Sequence, residues 1–321
     1  MKAGKVLHII LAVFVALFIS GHILLNNKTI QRNAASHVVK IAQTALGTDV
    51  SAGRVQLTYP FGIKIEELTV YDTVHDTLAH VPSISLRLKP LLLLENKLSI
   101  TSVRVNSPII RLYTDSTGAE PNYAFLKSLS GRNDRKMAFR ANSILVRNGS
   151  VKYDNRSAGY TDSLFNKDHI DISGLTANLS LKSLDSDSVA VIIRKLTFSE
   201  QSGFRLAKTK GALTVSGKET RLYGLDMTTP NSRLEAERLV ADIGLTSPVN
   251  GVPSFDIDLN ATLTGKDFKA FLPQLASMTD PVDITVKGKT DNVGEIVLDA
   301  LNVHAPGNMI KMGMNGTILM D

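Results

Sequence analysis

Two hydrophobic patterns divide the chain. From Val6 to Leu25 the sequence VLHIILAVFVALFISGHILL is continuously apolar, with only His8, Ser20 and His22 as polar side chains. Twenty residues at about 1.5 Å each make a helix of about 30 Å, the thickness of a bilayer's hydrocarbon core. The run predicts one transmembrane helix. A cleaved signal peptide fits less well. Its apolar run is shorter, about 7–15 residues, and ends in a small-x-small site, whereas Phe18 occupies one of the positions where a small residue is needed. A buried soluble helix here would have no helical neighbour. Lys2 and Lys5 favour a cytoplasmic start, although Lys28 and Arg32 on the other flank keep the asymmetry small. The boundaries expected are residues 1–5 in the cytoplasm, 6–25 in the membrane, and the remainder outside the cytoplasm.

Residues 26–47 form a second, amphipathic element. Ile30, Ala34, Val38, Ile41, Ala42 and Ala45 recur at steps of three and four, the period of a helix, and Gly47 is its stop signal. Packing against the first strands explains this helix better than adsorption to the membrane. From residue 48 to 321 the period falls to two, the signature of half-buried strands. Ile63 and Ile65 alternate with Lys64 and Glu66, and Ile84, Leu86 and Leu88 with Ser85 and Arg87. Ile257, Leu259 and Leu263 alternate with Asp256, Asp258 and Asn260, and Ile284 and Val286 with Asp283, Thr285 and Lys287. Turn signals separate the runs at Asn148-Gly149, Ser216-Gly217-Lys218, Pro306-Gly307-Asn308 and Asn315-Gly316. Helices are sparse: a turn or loop at 90–95, a brief helix at 122–129, and one at 267–278 with Pro273 inside it. The fold class expected is mainly β, a long antiparallel sheet with a few short capping helices.

Such a sheet must bury its apolar face against something, and no helical layer of matching length is predicted. The sheet could close as a sandwich, or curl into an open groove that offers its apolar face to lipid. The ten alternating residues Ile63, Ile65, Ile84, Leu86, Leu88, Ile257, Leu259, Leu263, Ile284 and Val286 are the candidate lining.

Composition narrows the chemistry. The absence of Cys excludes disulfides, cysteine zinc sites and thiol catalysis. The absence of Trp argues against a stacking surface. A net charge of +6 is scattered, with no basic block, so nucleic acid is not an expected partner. No nucleophile elbow, zincin motif or phosphate loop occurs. Asp72, His75, Asp76 and His80 have no established ligand spacing and read as a solvated turn, and Asp256 and Asp258 as the polar side of a strand. The expectation is a non-enzyme with no cofactor and no metal.

One ordered series goes further. A helix ends at Leu46-Gly47, followed by Asp49 to Val55 (DVSAGRV), Ile63 to Val70 (IKIEELTV), Asp72, Asp76-Thr77-Leu78, the PLLLLENKLSI segment and Val103 to Leu112 (VRVNSPIIRL). Behind an N-terminal membrane helix, this series resembles the start of AsmA-like proteins, in particular the TamB-type translocation and assembly module subunits. The resemblance covers the anchor and about 46–113 well, and the rest as a general pattern. It implies a single-pass inner-membrane protein whose bulk lies in the periplasm, an open β-groove that carries phospholipid acyl chains between the membranes, and support of outer-membrane biogenesis. The alternative it implies is a scaffold for protein assembly that binds an outer-membrane barrel partner by strand addition. TamB-type proteins are several times longer than this chain.

Overall fold

The computed structural model describes residues 28–58, 61–88, 100–115, 120–127, 141–160, 164–184, 188–244, 254–290, 295–305 and 310–319. The expected transmembrane helix and residues 1–5 lie outside these, as do the apolar segment at 90–95 and the turn at 306–308. Among the described residues no helix is long and apolar enough to cross a membrane.

Helix α1 (Lys28–Leu46) forms where the 3.6-residue period places it. Gly47 ends it with φ 69°, a left-handed conformation that glycine adopts without a Cβ clash, and its N–H bonds Gln43 O at 2.8 Å. The helix packs on the first two strands, where Gln43 Nε2 donates to Val50 O at 3.2 Å. The rest is one mixed sheet of seventeen strands: β1 (Val50–Ser51), β2 (Arg54–Thr58), β3 (Gly62–Tyr71), β4 (Thr77–Leu88), β5 (Ile100–Asn106), β6 (Ile109–Thr114), β7 (Ala141–Asn155), β8 (His169–Leu184), β9 (Val189–Glu200), β10 (Arg205–Leu206), β11 (Lys208–Val215), β12 (Thr220–Thr228), β13 (Arg233–Ala241), β14 (Phe255–Leu263), β15 (Val282–Thr290), β16 (Glu295–Ala305) and β17 (Ile310–Leu319). From β7 onward the long strands pair in chain order, and β5 and β6 lie end to end between β4 and β7. Among the described residues β17 pairs only with β16.

The expectation of a purely antiparallel sheet is corrected at one place. Ser107, with φ 48°, and the buried Pro108 divide one long strand into β5 and β6, and both halves pair parallel to β7. A parallel neighbour requires the chain to return to the same end of the sheet before the next strand begins. Two expected turns are also corrected. Asn148, with φ 50°, and Gly149 lie inside β7, where the register with β8 shifts. Asn315 and Gly316 lie inside β17. A left-handed residue can insert one extra position as a bulge without reversing the strand. At Gly149 only hydrogen fits comfortably, since a Cβ would stand 3.1 Å from Pro108 Cγ.

The helix expected at 267–278 is broken. A helical turn spans Gly265–Phe268, and a 3-10 turn spans Pro273–Ser277. Pro273 disfavours helical geometry in the residue before it, and Leu272 is extended at φ −136°, ψ 92°. The helix expected at 122–129 is reduced among the described residues to a 3-10 turn at Ala124–Lys127.

Candidate functional site

Residues opposite each other in neighbouring strands project from the same face, so register alone traces the apolar side. One row starts at Leu88 and passes to Ile100, Ala141, Leu181 and Val191. It continues through Leu213, Leu222, Leu239 and Ile257, then Gly288, Leu298 and Gly316. The row crosses twelve strands and every member is apolar or glycine. At about 4.8 Å per strand it runs about 50 Å across the sheet. A second row lies beside it: Ile63, Leu86, Val103, Ile144, Leu179, Ile193 and Gly211. It resumes at Leu225, Ala236, Leu259, Val286, Leu301 and Met314. Its two parts meet at Gly211, whose missing Cβ would stand 3.4 Å from Leu225 Cα.

All ten candidate residues fall on this face. Leu88, Ile257, Ile63, Leu86, Leu259 and Val286 sit in the two rows. Ile65 faces Ile84, Ile284 faces Ala261, and Leu263 faces Val282. The members on β5, β7, β12, β13 and β16 carry a weaker signal, because there the two rows are three residues apart rather than two: Ile100 and Val103, Ala141 and Ile144, Leu222 and Leu225, Ala236 and Leu239, Leu298 and Leu301. Each interval contains a register irregularity that takes up the extra residue and keeps both side chains on one face. A spacing of three, rather than strict alternation, is the signal that finds them.

This face is only half covered. Ile65 is buried on this face, but the other buried apolar side chains along the rows are small, among them Ala141, Ala177, Ala236 and Ala261, while the larger row members keep partial exposure and Met314 is 47 % exposed. A closed sandwich would bury Leu, Ile and Phe completely between its layers.

The opposite face is charged and cross-paired. Arg238 Nε meets Asp256 at 2.8 Å, Lys287 Nζ meets Asp258 at 3.0 Å, and Thr262 donates to Asp283 at 2.7 Å. Asp226 is buried, which opposes its charge, yet Lys210 and Arg233, each at 3.2 Å, hold it below the ordinary carboxylate range. These pairs make the expected polar side of a strand, and water reaches most of them.

The turn at 72–76 departs from the solvated reading. Asp72 is buried and its Oδ2 accepts the Tyr113 hydroxyl at 2.7 Å. His75 stacks on Tyr71 with ring centroids 4.5 Å apart and faces Asp49 at 3.3 Å. His80 lies between Thr69 and Glu67, away from this carboxylate. The residues form a structural corner.

His169 is a second polar node that the sequence did not single out. Its side chain is buried at the start of β8, with Nδ1 2.6 Å from Asp154 Oδ1 of β7 and Nε2 3.1 Å from Ala158 O. Asp168 and the Tyr160 ring also face it. Burial disfavours the imidazolium, but the Asp154 carboxylate and the Ala158 carbonyl outweigh it and raise the pKa above the ordinary value. The protonated ring donates at both nitrogens; the neutral ring keeps one donor and loses one of the bonds. A raised folded pKa gives stability that is complete below the unfolded value, about 6.5, and lost as pH rises through the folded one. Amide exchange in the 156–168 connection should therefore accelerate more than its intrinsic base dependence as pH rises through neutrality. His169→Gln should remove that excess.

The sequence profile of the AsmA family matches residues 1–173, more than half of the chain, and the protein belongs to that family. No curated protein matches it.

Proposed function

We propose that this AsmA-family chain is an inner-membrane-anchored periplasmic protein that carries phospholipid acyl chains along the apolar face of its sheet, between inner and outer membrane, in support of outer-membrane biogenesis. One observation carries the reading: the row from Leu88 to Gly316 is unbroken over twelve strands and only half covered. Half-covered leucine and isoleucine side chains leave apolar area in water, and each CH₂ of a bound chain that covers them contributes about 0.8 kcal/mol. A row with no polar interruption lets an acyl chain move along it while staying in apolar contact. The strand bulges between the two rows support a sheet bent around this face. The proposed role is non-enzymatic, passive conduction. The TamB-type assignment within the family belongs to the same reading.

The test is mass spectrometry of lipids that co-purify with the full-length chain after exchange into lipid-free amphipol, against a variant with charges along the row. Phospholipid at one or more per chain, lost in the variant, is the expected result. Equal traces in both would remove lipid carriage. A second reading, a scaffold that captures a barrel partner by strand addition, is favoured by β17, which has one paired neighbour among the described residues. Photo-crosslinkers at Met312 and Met314 that yield protein adducts and no lipid adducts would select it.

A further inference from the structure

The connection between β14 and β15, residues 264–281, carries exposed apolar side chains: Phe271 is 42 % exposed, Leu272 55 % and Met278 40 %. The Phe165 ring, 4.8 Å from that of Phe271, joins them to Leu164 and Phe165 of the β7–β8 connection, which are themselves 39 % and 36 % exposed. A contiguous patch of this kind marks an interaction surface.

The patch is held in place from beneath. Asp267 accepts hydrogen bonds from Thr229 Oγ1, from the backbone and side-chain nitrogens of Asn231, and from Ser232 Oγ, which ties the connection to the β12–β13 turn. Burial opposes the Asp267 charge, and these donors hold its pKa below the ordinary value. Phe204 stands edge-on to Phe271 at 5.2 Å and also meets Phe198, which lies two residues after Leu196 on the apolar face of β9. The tip is a fixed extension of the sheet's apolar side.

Its charges indicate the occupant. Lys266 and Lys269 are exposed and make no ion pair among the described residues. Lys167 is 83 % exposed even though it touches Asp168. Carboxylates nearby are engaged, Asp267 by its four donors and Asp168 by Asn155 and Lys167, and Asp280 lies at the far end of the connection. Phe and Met suit a protein interface as well as a membrane, but protein interfaces are depleted in Lys, so the lysines decide. Phe, Leu and Met flanked by unpaired Lys is the composition that seats in a lipid headgroup boundary.

We propose that the 264–281 connection, together with Leu164 and Phe165, is a docking tip for the surface of an anionic bilayer, with Phe271 and Leu272 entering the apolar side and Lys266 and Lys269 meeting phosphate. This goes beyond lipid carriage and does not depend on it, because docking needs only the exposed tip.

The chain has no cysteine, so single cysteines at Leu272 and, as a control, at Val74 (68 % exposed in the β3–β4 turn) accept an environment-sensitive fluorophore cleanly. Full-length protein in nanodiscs is mixed with vesicles of phosphatidylcholine, with or without a minor share of phosphatidylglycerol. The label in L272C should shift to the blue and be quenched by brominated acyl chains, with the V74C label unchanged. Apparent vesicle affinity should be roughly 20-fold higher with phosphatidylglycerol, the effect of two surface lysines, and K266E/K269E should abolish that preference. No shift at L272C, an equal shift at V74C, or a shift that depends on protein concentration without vesicles overturns docking. Co-purified lipid is measured on the same variants separately exchanged into lipid-free amphipol. If it persists while docking fails, only docking falls; if it is absent while docking holds, only lipid carriage falls.

Discussion

Leu259→Asp is expected to strip bound acyl chain from the apolar face and leave the sheet folded. Leu259 sits in the second row between Ala236 and Val286 and is half-buried. A carboxylate there keeps its water, so the methylenes above it lose their apolar contact. If about four are displaced at about 0.8 kcal/mol each, the loss is about 3 kcal/mol, or roughly 100-fold in occupancy. The cost to folding is smaller, about 1–3 kcal/mol, because the site is not sealed from solvent. Asn260→Asp is the matched control. It adds the same charge one residue on, on the opposite face, where Asn260 accepts a hydrogen bond from Thr285 at 2.9 Å and a carboxylate can do the same. Lipid per chain should fall about 100-fold in the first variant by these contacts and stay at the parental level in the second. Equal lipid in both, with unchanged circular dichroism, would sink the assignment of this face.

Alternation alone makes part of that face readable. β14 and β15 repeat strictly at two, as do Ile63-Ile65 of β3 and Ile84-Leu86-Leu88 of β4, so these apolar residues follow from the pleat. Other strands repeat at three wherever a bulge intervenes, as in Leu222-Tyr223-Gly224-Leu225 of β12 and Leu298-Asp299-Ala300-Leu301 of β16, and a period-two template assigns one of each pair to the wrong side. The same physics explains the misplaced turns, because Asn-Gly favours left-handed backbone whether the chain reverses or only bulges. Asn148-Gly149 bulges because the neighbouring β5 and β6 run parallel to it, and that long-range pairing is absent from local sequence. Burial of Asp72 is illegible for a similar reason. Its partner Tyr113 lies forty-one residues away, and only the sheet brings the two together. The half-covered state of the rows is readable in outline, from strands without a helical layer, but only register shows that the rows are continuous.

Asp72→Ala is expected to be the most destabilising single change at the corner that joins the first hairpin to β6 and β7. The carboxylate serves three donors: Oδ1 accepts the N–H of Val74 at 3.0 Å and of Asp76 at 2.8 Å, and Oδ2 accepts the Tyr113 hydroxyl. Tyr113 is itself locked. Its N–H donates to Asn122 Oδ1 at 2.9 Å, Asn122 Nδ2 donates to Arg111 O at 3.0 Å, and the Arg156 guanidinium lies 3.8 Å over its ring. Burial, and then the hydrogen bond to Asp72, push the phenol far above its ordinary pKa, so it is a donor at neutral pH. Alanine leaves part of the turn without its acceptor and leaves the buried hydroxyl only the longer contact to Asp76 Oδ2 at 3.4 Å. At about 1–3 kcal/mol for each buried unsatisfied group the loss should be about 3–5 kcal/mol. Asp72→Asn retains an acceptor for the turn and can donate to the phenol oxygen, so it should recover at least half. Tyr113→Phe removes the donor along with the bond and should cost only about 1 kcal/mol. In the double variant the two losses should not add, since the phenylalanine ring carries no hydroxyl for the alanine substitution to leave unpaired. Urea unfolding of the parent and the variants, followed by circular dichroism, measures the cycle. Additive losses, or an Asp72→Ala midpoint within error of the parent, would show that the Asp72–Tyr113 bond does not hold the corner.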